Sequence, residues 1–63
     1  MNDWASALKD GSVINVLFPD NTQAKARFNI QASRWEVQRD SGDWVGMEYE
    51  HGARVPNSWW AST

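Results

Sequence analysis

The chain has 63 residues, no cysteine and a formal net charge of −2. This length allows one domain near the lower limit for folding on a single core, and the lack of cysteine excludes disulfides and thiolate metal sites. The negative charge argues against a dominant role in binding nucleic acid or anionic membranes, although it is compatible with a local basic patch. The stability margin of so small a domain is expected to be thin, so self-association has to be considered.

No basic N-terminal region precedes an apolar run, so the sequence predicts no signal peptide. No apolar stretch approaches the roughly 20 residues that a membrane span needs. We therefore predict a cytoplasmic protein without a membrane partner.

A short helix is predicted at residues 2–10. Trp4 and Leu8 lie four positions apart on one face of it, and Gly11 falls where a left-handed C-cap residue belongs. Because so short a helix is not stable in isolation, it must dock through Trp4 and Leu8.

Alternation of apolar and polar residues predicts an antiparallel sheet in the rest of the chain. Within residues 22–31, Ala24, Ala26, Phe28 and Ile30 share one side and polar residues the other, as in a strand with one dry and one wet face. The predicted strands are 12–18, 22–31, 34–39 and 43–50, followed by a tail, 51–63, in which residues 58–60 can add a fifth strand.

The connections between these strands set the predicted register. Pro19-Asp20-Asn21 and Asp40-Ser41-Gly42 are typical of three-residue hairpin loops closed by a left-handed residue, whereas Ala32-Ser33 is typical of a tight two-residue turn. Together the loops predict the pairs Ile14–Ala26, Val16–Ala24, Phe28–Val37, Ile30–Trp35, Val37–Val45 and Trp35–Met47.

One face of this meander carries more apolar residues than a short helix can cover. We therefore predict a mainly β single domain, residues 1–63, whose four or five strands curl into a small half-open barrel. The architecture is similar to that of SH3 domains, with the N-terminal helix at one end. A flatter sheet that packs on the helix and the tail is the alternative.

Catalytic side chains are scarce. His51 is the only histidine and there is no cysteine, which excludes Cys–His catalysis and histidine-cluster metal sites within one chain. Glu48 and Glu50 lie two positions apart on the predicted fourth strand and are expected to be solvated, with Glu48 opposite Arg34 in a cross-strand ion pair. Gly46 marks a bend or a close approach, of which the bend is favoured. We predict a non-enzymatic protein that needs no metal or cofactor.

Large apolar residues outnumber the inward positions. Trp44 is predicted to point outward together with Val13 and Leu17, and the adjacent Trp59 and Trp60 must point to opposite sides. Tryptophan is enriched where interfaces concentrate their binding energy. The leading hypothesis is an interaction module that uses Trp44, Trp59, Trp60 and Leu17 to bind a protein partner or a second copy of the chain. Alternatively, the tail folds over these residues and buries them within the monomer.

Basic residues on the same outward side give a second hypothesis. Lys25 and Arg27 share one face of the second strand, and Arg34 begins the third. Cations beside an exposed Trp44 are typical of platforms for single-stranded nucleic acid, although acidic residues such as Glu36 on the same sheet would repel phosphates. Carbohydrate recognition by stacking on exposed tryptophan is a third hypothesis.

Overall fold

The elements of the structure are two helical segments and six strands. The computed structural model describes residues 2–62 and contains β1 (Asn2–Asp3), a 3-10 turn (Trp4–Ser6), β2 (Ile14–Leu17), β3 (Gln23–Asn29), β4 (Arg34–Gln38), β5 (Trp44–Gly46), α1 (Met47–His51) and β6 (Ser58–Ala61). The strands form one open, antiparallel sheet in the order β1-β6-β2-β3-β4-β5. The prediction of a mainly β, antiparallel protein is confirmed.

The β2–β3 hairpin has the predicted register. Large residues of β2 lie opposite small residues of β3, in the pairs Ile14–Ala26 and Val16–Ala24. The Phe18 amide donates to the Thr22 carbonyl at 2.8 Å. Asn21, with φ of 70°, adopts the left-handed conformation that this three-residue loop requires.

The connection between β3 and β4 is longer than predicted. The turn occupies residues 30–33, so Phe28 pairs with Trp35 rather than with Val37. The side chain of Asn29 stabilises the turn by accepting a hydrogen bond from a loop amide at 3.0 Å. Because the register shifts by two residues, the strand residues keep their faces. Ile30, however, leaves the strand and is 59% exposed, so its predicted burial is wrong.

The β4–β5 hairpin forms as predicted, but the strand that follows is short. Gly42 has φ of 95° and Val37 lies opposite Val45. The chain then becomes helical at Met47, so the prediction of a strand as far as residue 50 is wrong. The helix buries Met47 in the core, whereas Tyr49, which a longer strand would have turned inward, is 77% exposed.

The predicted N-terminal helix does not form. Asn2–Asp3 pairs with β6 as an edge strand, and a 3-10 turn of three residues follows it. Ser6 explains the arrangement, because its hydroxyl donates to the Asp3 carbonyl at 2.7 Å and accepts from Trp59 Nε1 at 3.2 Å. Pairing with β6 satisfies backbone groups that a helix of this length would leave exposed.

The sheet is strongly curved. β1 and β4 are separated by β6, β2 and β3, about 19 Å in a flat sheet. Nevertheless, the ring of Trp4, the residue after β1, lies with its centroid 4.5 Å from that of Trp35 on β4. The sheet therefore wraps around its inner face, where the core residues are Ala7, Ile14, Val16, Phe18, Ala26, Val37, Met47 and Trp59.

Candidate binding face

The side of the sheet opposite the core holds most of the residues that the sequence predicted to bind. Along each strand, the residues that alternate with the inward-pointing core residues point to this side, here termed the outer face. It comprises Asp3, Asn15, Leu17, Gln23, Lys25, Arg27, Asn29, Arg34, Glu36, Gln38, Trp44, Gly46, Ser58 and Trp60.

The two tail tryptophans point to opposite sides of the sheet. Trp59 lies opposite Val16 on the inner face and is only 8% exposed, whereas Trp60 lies opposite Asn15 on the outer face and is half-buried. Trp59 is a core residue and therefore drops out of the predicted interface. Trp60 remains in it.

The outer face is less apolar than the sequence predicted. Trp44 and Leu17 are both half-buried, and the guanidinium carbon of Arg27 lies 4.2 Å from the centroid of the Trp44 ring. Of the most exposed large apolar side chains, Leu8, Ile30 and Val55 are not among the outer-face residues, whereas the ring of Tyr49 lies against Gly46. Trp44 is thus part of a mixed aromatic and cationic surface rather than of an apolar patch.

A buried carboxylate lies beneath two arginines at the centre of the outer face. Glu36 is 4% exposed, and its Oε1 accepts from Arg27 Nε at 3.2 Å. Its Oε2 accepts from Arg34 Nη2 at 3.1 Å and from Asn29 Nδ2 at 3.4 Å. The side chains of Arg27 and Arg34 stay 38% and 45% exposed. Guanidinium groups that carboxylate oxygens hold in this way have little freedom to move.

Sequence reasoning missed this cluster because it placed the wrong residues opposite one another. Arg34 was expected to pair with Glu48, which instead lies on α1. The two-residue shift between β3 and β4 brings Arg27 opposite Glu36. The Arg-x-Glu spacing of Arg34 and Glu36, which puts both side chains on one face of a strand, was the available signal.

The carboxyl of Glu36 remains charged at neutral pH. Burial raises the pKa of Glu36, but the hydrogen bonds from Asn29, Arg34 and Arg27 and the positive charge of Arg27 together lower it by more. Its pKa therefore lies below the ordinary value of 4.5. A carboxylate in this state keeps both arginines in place.

Gly46 allows an aromatic ring to approach the sheet. It lies opposite Glu36, and a Cβ on it would stand 2.8 Å from Cδ2 of Tyr49 and 3.7 Å from Nη1 of Arg34. The position is a close approach at the end of the strand, not simply a bend.

Charge is distributed unevenly over the molecule. The outer face carries Lys25, Arg27 and Arg34 against two carboxylates, that of Glu36 and that of Asp3 on the edge strand β1, although the whole chain has a net charge of −2. The other glutamates lie on α1, where Glu50 pairs with Arg39 at 3.5 Å. The repulsion that the sequence predicted for an anionic ligand is therefore weaker on this face.

An open groove of about 740 Å³ lies beside the arginine cluster. β3 and β4 pair only where residues 26–29 meet residues 34–37, and in the described part of the chain residues 23–25 pair with β2 alone. The groove lies where the strands part, and its volume is in the range of ligand sites. Its lining includes Asn15, Gln23, Lys25, Gln38, Arg39 and Asp40, together with Glu50 and His51 of α1.

Other chemistry has little support among residues 2–62. No group of three or more His, Cys, Asp or Glu side chains is placed to hold a metal ion, and no helix has the length and apolar character needed to cross a membrane. The chain matches no protein-family model, no curated protein and no solved structure.

Proposed function

We propose that the protein is a non-enzymatic interaction module that binds an acidic, extended segment of a protein partner across the outer face of its sheet. The observation that carries this proposal is the excess of cationic side chains on one face of a chain whose net charge is negative. Complementary charge steers partners together and fixes their orientation.

The residues around the cations suit an extended peptide. The amide side chains of Asn15, Gln23 and Gln38 line the groove and offer donors and acceptors to a peptide backbone. Trp44 on β5 and Trp60 on β6 flank the face and provide apolar contacts. Lys25 lies between them on β3, beside the groove.

Packing contacts support a role without catalysis. The His51 ring stacks on Phe18 with centroids 3.9 Å apart, which accounts for the one histidine. Glu50 is paired with Arg39, and Asp20 with Arg54 at 2.7 Å. These side chains have structural partners rather than the nucleophile–base arrangement that catalysis requires.

Two reversals of charge test the proposal. Lys25→Glu changes the outer face, whereas Lys9→Glu makes the same change on the N-terminal segment, where Lys9 lies over Phe28. A partner identified by mass spectrometry after capture on the wild-type chain should be retained by Lys9→Glu and lost by Lys25→Glu. Its binding segment, mapped by truncation, should be acidic. A partner that binds both variants equally, or through a basic segment, would contradict the proposal.

Single-stranded nucleic acid is the second candidate ligand. Glu48 and Glu50 lie on α1 rather than on the sheet, and Trp44 lies beside the guanidinium of Arg27, as in stacking platforms. This candidate predicts quenching of tryptophan fluorescence by oligo-dT and binding that weakens steeply with salt. No quenching at low salt would exclude it.

A finer description of the fold and of the cell biology is also proposed. The contact between Trp4 and Trp35 supports an SH3-like half-open barrel, which an experimental structure would test by the separation between β1 and β5.

A second copy of the chain is the alternative protein partner, and sedimentation at increasing concentration would detect it. We propose a cytoplasmic location, which imaging of the tagged chain in its source cell would test.

A further inference from the structure

We propose that Arg27 and Arg34, held in place by Glu36 and Trp44, form a binding subsite for an oxyanion. The ligand group is a carboxylate or a phosphate with two free oxygens. The inference rests on the proposed function in that it names the part of the outer face that receives the acidic groups of the partner. Oxyanion binding itself is measurable without any partner.

Arg27 is fixed in two directions. Its Nε donates to Glu36 Oε1 at 3.2 Å, and the Trp44 ring lies against one face of the guanidinium, 4.2 Å from its carbon. Neither Nη atom has a hydrogen-bond partner within residues 2–62. With the side chain 38% exposed, these atoms form a fork of the kind that binds carboxylates and phosphates through two parallel hydrogen bonds.

Arg34 is held by the same carboxylate. Its Nη2 donates to Glu36 Oε2 at 3.1 Å, and the side chain is 45% exposed. The Nε and Nη1 atoms have no hydrogen-bond partner in the described part of the chain. Position 46 on the neighbouring strand does not obstruct this side chain, because even a methyl group there would stand 3.7 Å from Nη1, an ordinary van der Waals contact.

Glu36 supports the subsite and does not compete for the ligand. Both of its oxygens are occupied and it is buried, so it cannot present a free negative edge to solvent. Its hydrogen bonds hold the side chains of Arg27 and Arg34 close together and restrict their motion. A ligand that binds them therefore causes a smaller loss of side-chain entropy. Such preorganisation raises affinity without new contacts.

The same cluster could serve only to hold β3 to β4, and the two roles predict opposite effects of one substitution. Glu36→Gln removes a negative charge and makes the outer face more cationic. If only net charge matters, oxyanions bind this variant more tightly. If the arginines must be held in place, they bind it less tightly despite the added positive charge.

The experiment is a titration of the ¹⁵N-labelled chain with inorganic phosphate at constant ionic strength, followed through the Nε–Hε resonances of Arg27 and Arg34. We expect saturable shifts in the wild type and an affinity about three- to tenfold lower in Glu36→Gln, the loss that one hydrogen bond represents. Equal or tighter binding by Glu36→Gln, or shifts that do not saturate, would overturn the subsite.

A second pair of variants keeps the test decisive if Glu36→Gln does not fold. Arg34→Lys keeps the charge but loses the fork, and Arg54→Lys makes the same change at an arginine that pairs with Asp20 and not with Glu36. Arg34→Lys should weaken phosphate binding and Arg54→Lys should not. Equal effects of the two substitutions would show that phosphate affinity does not depend on the fork of Arg34 and would contradict the subsite.

Two further ligands separate the sources of the oxyanion. A hexaglutamate peptide that competes with phosphate more strongly than an eight-residue oligo-dT would assign the subsite to carboxylates of a protein. The reverse order would assign it to a nucleic-acid backbone, so that the subsite stands while the proposed protein ligand fails. If Lys25→Glu loses the partner but the wild type binds no phosphate, the proposed protein ligand stands and the oxyanion subsite fails.

Discussion

The guanidinium of Arg27 lies over the indole of Trp44 at 4.2 Å, although the two residues belong to strands separated by β4. The contact crosses β4 diagonally, and Arg27 also donates to Glu36 on β4 itself. A cation held between an aromatic ring and a buried carboxylate is well ordered and only partly solvated. This contact joins the three strands that form the cationic half of the outer face.

Trp44→Ala should loosen this contact without unfolding the chain. The tryptophan is half-buried, so we expect a loss of stability of about 1–2 kcal/mol, from a cation–π contact and some packing. The Nε–Hε resonance of Arg27 should broaden or exchange faster in this variant. Trp44→Phe, which keeps a ring beneath the guanidinium, is the control and should restore most of both effects. An unchanged Arg27 resonance in Trp44→Ala would contradict the contact.

The adjacent tryptophans of β6 should differ sharply in their contribution to stability. Trp59 lies in the core and its Nε1 donates a hydrogen bond to Ser6. Trp59→Ala should therefore lower the free energy of unfolding by about 3 kcal/mol or more, which is most of the stability of so small a domain. Trp60 is half-buried on the outer face, and Trp60→Ala should cost about 1 kcal/mol. Urea denaturation measures both. Similar midpoints for the two variants would show that the orientation of β6 is wrong.

Acid should remove a part of the stability that depends on Glu36. Because the pKa of Glu36 is lower in the folded chain than its ordinary value of 4.5, the folded state binds fewer protons near that pH. The stabilisation is complete above pH 4.5 and is lost as the pH falls through the lowered folded pKa. Glu36→Gln should therefore show a flatter decline of stability in acid, measured by urea denaturation at several pH values.

The wild-type curve contains other acidic contributions, so the difference between the two proteins is the informative quantity. Hydrogen bonds from Thr22 lower the pKa of Asp20, and those from Ser12 lower the pKa of Asp10. Both effects persist in Glu36→Gln and cancel in the comparison. Parallel curves for the two proteins would contradict the depressed pKa of Glu36.

Gly46→Ala should destabilise the chain through one identifiable contact. The new methyl group would stand 2.8 Å from Cδ2 of Tyr49, so the exposed ring must move away. We expect a loss of about 1 kcal/mol. In a Tyr49→Ala background the same substitution should cost little, and this comparison is the control. An equal cost in both backgrounds would show that the backbone, not the ring, restricts this position.

Sequence reasoning succeeded where a local rule decides the structure. Asn21 and Gly42 stand at left-handed positions of three-residue loops, and both flanking registers follow from them. The alternation in residues 22–31 assigned the faces of β3 correctly, apart from Ile30. These features depend on residues close together in the chain.

It failed where distant parts of the chain decide. The helix at Met47 buries that residue in a core built by distant strands, whereas the four-residue turn before β4 was missed although the hydrogen bond to the side chain of Asn29 that stabilises it is local. The N-terminal segment pairs with β6 instead, through contacts with residues more than fifty positions away, such as that of Ser6 with Trp59. The Glu36 cluster was missed because it appears only in the register that the turn before β4 sets.

Chemical-shift mapping with a hexaglutamate peptide at low salt tests the proposed binding face most directly. The proposal predicts that the shifts concentrate at Lys25, Arg27 and Arg34 and at the indole groups of Trp44 and Trp60. Shifts centred instead on the exposed apolar residues Leu8, Ile30 and Val55, or no shifts at all, would contradict the assignment of the outer face as the binding surface.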